Sequence, residues 1–187
     1  RVLFRSAFLD RVVEMHLRNL EGFLGRVGKH IDIILFGDDL GMQHGPQISP
    51  AMYREYFKPR HQAMWKRSKE LSSARIMLHC CGGVRELRGD LIEAGLEAIT
   101  PVQISCRGMD AEGLKRDFGK DIVFWGGGCD TQHVLVNGTP DEVRAHVRQQ
   151  IHTMAPGGGF VFQQVHNIQG NVPVENVVAM FETARSA

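Results

Sequence analysis

A chain of 187 residues, 43% apolar and 23% charged, is long enough for one compact domain with a real core and has the proportions of an ordinary globular protein, which argues against disorder. Its 22 basic and 21 acidic residues are interspersed and leave a net charge of +1, so neither a basic stripe for nucleic acid nor an acidic tail is present. No apolar run approaches the roughly 20 residues of a membrane helix and no signal-peptide succession opens the chain, so the expectation is a soluble, cytoplasmic protein without a membrane partner. The four cysteines, Cys80, Cys81, Cys106 and Cys129, are too few for a disulfide framework and read as reduced thiols or metal ligands. The sequence starts at Arg1, inside a helical pattern and without methionine, as a piece of a longer protein would.

In chain order, Arg5 to Gly25 carries Phe8, Val12, Met15, Leu20 and Leu24 between charges and predicts an amphipathic helix. "IDIILFG" (31–37) is a short apolar run rich in branched residues, as in a strand covered on both faces. Ser49-Pro50 predicts a capped helix running to about Leu71. "RIMLHCC" (75–81) is the next strand, "VRELRGDLIEAG" (84–95) a helix closed by Gly95, and "EAITPVQ" (97–103) a third strand. A short helix around Leu114 leads to "DIVFWGG" (121–127). Thr139-Pro140-Asp141-Glu142 predicts a capping box and a helix ending before Gly157. "FVFQQVH" (160–166) is the fifth strand and "VENVVAMFETARSA" (174–187) the last helix. Strands alternating with helices imply an α/β class with a parallel sheet, and nothing divides the chain, so residues 1–187 are expected to form a single domain.

Ligand sites of such sheets lie beyond the carboxyl ends of the strands. The polar residues expected on that rim are Asp38 and Asp39, His79 to Cys81, Gln103, Cys129 and Asp130, and His166 with Asn167. Side chains alternate along a strand, so His79 and Cys81 share a face while Cys80 takes the other. Imidazole and thiolate side by side suit zinc; a catalytic zinc needs a third protein ligand, for which His166 is the natural candidate. A buried cysteine that merely packs is the competing reading of the same pair. Alternation also aims one of Asp38 and Asp39 inward, where burial would raise its pKa for acid or base work; a helix cap or turn is the alternative. "WGGGCD" lacks the spacing of a phosphate-binding loop. Met42, Met52, Met64 and Met77 read as core filling, and His16, His61, His146 and His152, within helical patterns, as structural or solvated.

Together "FGDDLGMQHGPQISPAMYREYFKPR", "LHCCGGVRELRGDLIEAGLEAITPVQ", "FWGGGCDTQ" and "GGGFVFQQVHNIQGNVPVENV" resemble the uroporphyrinogen decarboxylase superfamily over essentially the whole chain from Ile31. The resemblance implies a TIM (β/α)8 barrel, of which only the later five β/α units are present. It contains decarboxylases of porphyrinogens, which need no metal, and zinc-dependent methyltransferases that move methyl groups between a substrate, a corrinoid and a thiol such as coenzyme M. His79 and Cys81 match the His-X-Cys of the methyltransferases, and His166 stands where they carry a later cysteine. The decarboxylases have a histidine near His166 but no His-X-Cys, and their substrate arginines and essential aspartate fall in an N-terminal region without counterpart here.

The resemblance therefore implies zinc-dependent methyl transfer with His79, Cys81 and His166 as ligands. Asp38, Asp39 and His166 are the expected catalytic residues, and Gln103, Asp130 and Asn167 the expected substrate contacts. A corrinoid carried by a partner protein is the expected co-substrate, with a small methyl donor as substrate. The alternatives are a tetrapyrrole decarboxylase and a non-catalytic corrinoid- or tetrapyrrole-binding subunit. A full barrel has eight strands in about 250 residues, so five strands imply open edges, and with them self-association or a partner chain that completes the barrel.

Overall fold

The computed structural model describes residues 2–187, with side chains from Ser6 onward. Helix α1 (Val2–Val27) leads into strand β1 (Ile33–Gly37), then a hairpin of β2 (Gly41–Met42) and β3 (Gly45–Pro46). Helix α2 (Pro50–Met52) runs through a π turn (Tyr53–Phe57) into α3 (Lys58–Leu71). Strand β4 (Arg75–His79), a 3-10 turn (Arg85–Leu87), α4 (Arg88–Glu93), β5 (Ala98–Thr100), α5 (Ala111–Phe118) and β6 (Val123–Trp125) follow. Helices α6 (Val134–Asn137) and α7 (Pro140–Met154), β7 (Phe160–Val161) and α8 (Val174–Ser186) complete the order.

Five strands form one parallel sheet in the order β1-β4-β5-β6-β7, so that, the β2–β3 hairpin aside, neighbours in space are neighbours in sequence. Registry places Gly37 beside His79 and His79 beside Thr100, which aligns the carboxyl ends of the strands. The strand expected over 160–166 has only two regular residues. Its pairing nonetheless continues past them, since Gly126 N donates to Val161 O, Gly128 N to Gln163 O and Val165 N to Cys129 O, and this delivers His166 to the rim.

One face of the sheet is the core. Ile34, Ile76, Leu78, Ile99 and Phe124 are buried against Tyr53, Trp65, Leu87, Leu91 and Leu114 from the helices. Burying each such side chain stabilises the fold by about 1.5–3 kcal/mol. A second cluster joins Leu135, Val143, Val147, Ala179 and Met180 of α6, α7 and α8, where Asn176 Nδ2 donates to the carbonyls of Leu135 (3.0 Å) and Gly138 (2.7 Å). On the opposite face of β1, Ile33 and Leu35 are exposed, as are Phe8 and Phe23 of α1.

Local signals account for the helix boundaries. Ser49 Oγ accepts from Met52 N at 3.2 Å before Pro50, Asp110 caps α5 through Gly113 N at 2.7 Å, and Thr139 with Glu142 forms the capping box of α7. The helix expected over 50–71 is interrupted by the π turn, which leaves Tyr53, His61 and Trp65 together on its buried side. The β2–β3 hairpin and α6 have no clear counterpart in the periodicity, because two- and four-residue elements are too short to establish a period.

Candidate metal centre

The face alternation of β4 decides which side chains meet. Ile76, Leu78 and Cys80 are buried in the sheet–helix layer, while Met77, His79 and Cys81 take the other side. Cys81 Sγ lies 3.3 Å from His79 Nε2. His166 arrives from the end of the fifth strand with φ +57°, a left-handed conformation that non-glycine residues seldom adopt, and its ring stands edge-on to that of His79 at 6.0 Å between centroids. One donor atom each from His79, Cys81 and His166 lies within 4.8 Å of the others. Donors around a tetrahedral zinc are about 3.3–3.8 Å apart, so a small side-chain adjustment closes the set. Two imidazoles and one thiolate are a borderline-soft donor set of the kind zinc accepts.

Asp39 adjoins this trio. Its Oδ1 accepts from Cys81 N at 2.8 Å and is 3.9 Å from His79 Nε2. Burial, followed by the nearby Asp39 charge, pushes the Cys81 thiol up to about 11, so without a metal the thiol keeps its proton at neutral pH. Asp38 takes the opposite side of the strand end. Its Oδ2 is 3.0 Å from His61 Nε2, and His61 Nδ1 is 3.1 Å from Tyr53 Oη. Burial raises the Tyr53 pKa, which keeps the hydroxyl protonated, and Tyr53, His61 and Asp38 form one hydrogen-bonded chain. His61, read from sequence as structural or solvated, is buried, stacks on Trp65 at 4.8 Å and orients a rim carboxylate. The spacing of Tyr53, His61 and Trp65, repeating every four or eight residues, was the available signal for a shared buried face.

The remaining rim residues divide. Gln103, Gln132, His133, His166, Asn167 and Asn171 border a cavity of about 550 Å³ beside the trio. Asp130 is not among its lining: the buried carboxylate closes its own turn by accepting from Gln132 N at 2.8 Å, and its N–H donates to His146 Nε2 at 3.1 Å. Burial lowers the His146 pKa and so favours the neutral imidazole that this acceptor role needs. Cys129 is fully buried, and burial pushes its thiol up to about 12. Cys80 is likewise pushed up to about 12 by burial, accepting Leu40 N–H at 3.3 Å within the core.

No helix among the described residues is long and apolar enough to cross a membrane. A solved methyltransferase from Methanosarcina mazei has the same fold, with a TM-score of 0.72 at 20% identity over 97% of this chain. The match covers 49% of that chain, so the present one spans about half its length. The parallel sheet is accordingly part of a TIM barrel. No curated protein matches the sequence. The family model for uroporphyrinogen decarboxylase (URO-D) matches residues 5–187, and with that match, the partial barrel and the ordered strand-end motifs, the chain belongs to the uroporphyrinogen decarboxylase family.

Proposed function

We propose that the chain carries the zinc site of a methyltransferase within this family, with His79, Cys81 and His166 as the protein ligands. The observation that carries the reading is the convergence of these three donors, from two separate strand ends, to within 4.8 Å. When bound there, zinc supplies Lewis acidity, which lowers the pKa of a coordinated thiol or polarises a coordinated ether oxygen. Three protein donors leave a fourth position for substrate, as catalytic zinc sites do.

The chain's own residues then have distinct tasks. Cys81 would give up its proton to hold the metal, and Asp39, accepting Cys81 N–H, fixes the backbone that carries that side chain. The carboxylate of Asp39 also lies 3.9 Å from His79 Nε2. Asp38, 37% exposed and held by His61, lies on the helix side of the strand end and borders the cavity between α1, β1 and α3, not the one beside the trio. Asn167, in the neighbouring cavity, offers a neutral hydrogen-bonding group to a small methyl donor. A corrinoid on a partner protein is the methyl carrier this reading calls for, passing the methyl group on to a thiol as final acceptor.

Tetrapyrrole decarboxylation is the weaker reading. The decarboxylases have no His-X-Cys, so that reading leaves the convergence of His79 and Cys81 with His166 without a role. The deciding experiment mixes the zinc-loaded protein with methylcobalamin and 2-mercaptoethanesulfonate and follows the cobalamin absorption spectrum. Thiol-dependent loss of the methylcobalamin bands, absent in His79→Ala, is expected; an unchanged spectrum over zinc-loaded protein, with each methyl donor and thiol tried, would contradict methyl transfer.

A further inference from the structure

Four successive backbone N–H groups of the turn that carries Cys81 are all hydrogen-bonded. Cys80 N donates to Thr100 O and Gly83 N to Met42 O, both at 2.8 Å. The two between them are served by side chains from neighbouring strand ends: Cys81 N by Asp39 Oδ1 at 2.8 Å and Gly82 N by Gln103 Oε1 at 2.9 Å. β1 thus supplies one acceptor and β5 the other, and the turn is gripped from both sides.

Gln103 is itself held. Its Nε2 donates to Gln43 Oε1 and to Gln132 Oε1, each at 3.3 Å, so both of its N–H bonds have partners. Gln43 Nε2 donates to Ser105 O at 2.8 Å, and Gln132 Oε1 also accepts from the Ser105 hydroxyl. The residue before Gln103 is Val102 at φ +56°, a β-branched side chain in the left-handed region, where strain persists only when the surroundings impose it. An amide whose donors are both spent and whose oxygen is bonded has little left for a ligand. Gln103 is therefore better suited to fixing the turn than to touching substrate.

We propose that Gln103 is a positioning residue for the metal site: by accepting Gly82 N–H while anchored to Gln43 and Gln132, it holds the Cys81 turn in its metal-binding conformation before metal arrives. The proposal rests on the zinc reading above. Holding the turn removes the ordering entropy that binding would otherwise have to overcome, and outer residues that orient a ligand typically change metal affinity by about 10–100-fold.

The test uses cobalt(II) as the probe, titrated against a competing chelator, with the visible d–d bands and the thiolate charge-transfer band as a record of ligand geometry. Gln103→Met keeps the bulk but removes the acceptor; Gln103→Glu keeps an acceptor for Gly82 N–H. We expect Q103M to bind cobalt about 10–100-fold more weakly with a displaced spectrum, and Q103E, which keeps the acceptor for Gly82 N–H but loses the donors to Gln43 and Gln132, to fall between Q103M and the unmodified chain. If Q103M does not fold, Gln103→Asn, whose shorter arm withdraws the acceptor, takes its place. Equal affinity and identical spectra for Q103M and the unmodified chain would overturn the clamp alone, as would Q103E weakened as much as Q103M. An unmodified chain that takes up no cobalt would overturn the metal reading itself, and the clamp with it.

Discussion

Cys80 and Cys81 occupy one strand end, yet the first accepts Leu40 N–H at 3.3 Å inside the sheet–helix layer while the second stands 3.3 Å from His79 Nε2 on the opposite face. The same division separates Asp38, bonded to His61 of α3, from Asp39, bonded to the Cys81 turn. What differs between the faces is not residue type but company. The layer face surrounds its polar groups with apolar side chains and must satisfy them individually; the other face brings donors from several strands to one point. The layer face even contains a fully buried guanidinium, Arg88, whose Nε and Nη1 have no hydrogen-bond partner among the described residues. Its only contacts of note are Met109 Sδ at 3.8 Å and the Phe124 ring at 5.4 Å, and burial pushes its pKa down to about 10.

The comparison breaks most severely at the turn between the faces. Gly82 has φ +83°, and a Cβ there would sit 2.3 Å from the backbone carbon of Gly41, so Gly82→Ala should destabilise the protein by about 2–4 kcal/mol and abolish metal uptake. Chemical denaturation and metal analysis check both. On the layer face the opposite sign is expected. Arg88→Met removes an unpaired buried charge while keeping most of the volume, and should raise stability by about 1–3 kcal/mol with metal content unchanged; a loss of stability in urea would mean that the guanidinium has a partner not accounted for here.

A smaller effect sharpens the role of Cys81. Its folded pKa, about 11, lies above the ordinary 9.0, so the thiol form is favoured and metal must displace a proton. Apparent zinc affinity should therefore rise by about tenfold for each pH unit between 7 and 9 on account of this group, with roughly one proton released. Without metal the same shift stabilises the fold fully below pH 9.0, and that contribution fades as pH climbs toward 11. Calorimetric titration in buffers of different ionisation enthalpy reports the proton count, and an affinity independent of pH would exclude Cys81 as a ligand.

Much of this was legible in the sequence. The five strand–helix units follow from apolar runs, proline at the first helical position and the Thr139–Glu142 box, all signals that act locally. Face alternation alone separates Cys80 from Cys81 and aims at least one of Asp38 and Asp39 at the site. What stayed hidden depends on contacts between distant segments. The bond of His61 to Asp38 spans 23 positions and the grip of Gln103 on Gly82 spans 21, so neither pairing leaves a trace in local periodicity. Asp130 looked like a rim residue by position and is one by backbone, but its carboxylate satisfies a neighbouring amide instead of facing the cavity. The hairpin of Gly41 to Pro46, which packs directly on the Cys81 turn, was too short to read.

The most direct test of the account is the zinc content of the protein purified alongside Cys81→Ser and Cys80→Ser, measured by elemental analysis before and after chelation. The account predicts about one zinc per chain, restored after chelation by added zinc, retained in Cys80→Ser and lost in Cys81→Ser. Zinc absent throughout and not taken up on addition, or lost equally in both variants while each remains folded, would contradict the assignment of His79, Cys81 and His166 as a metal centre.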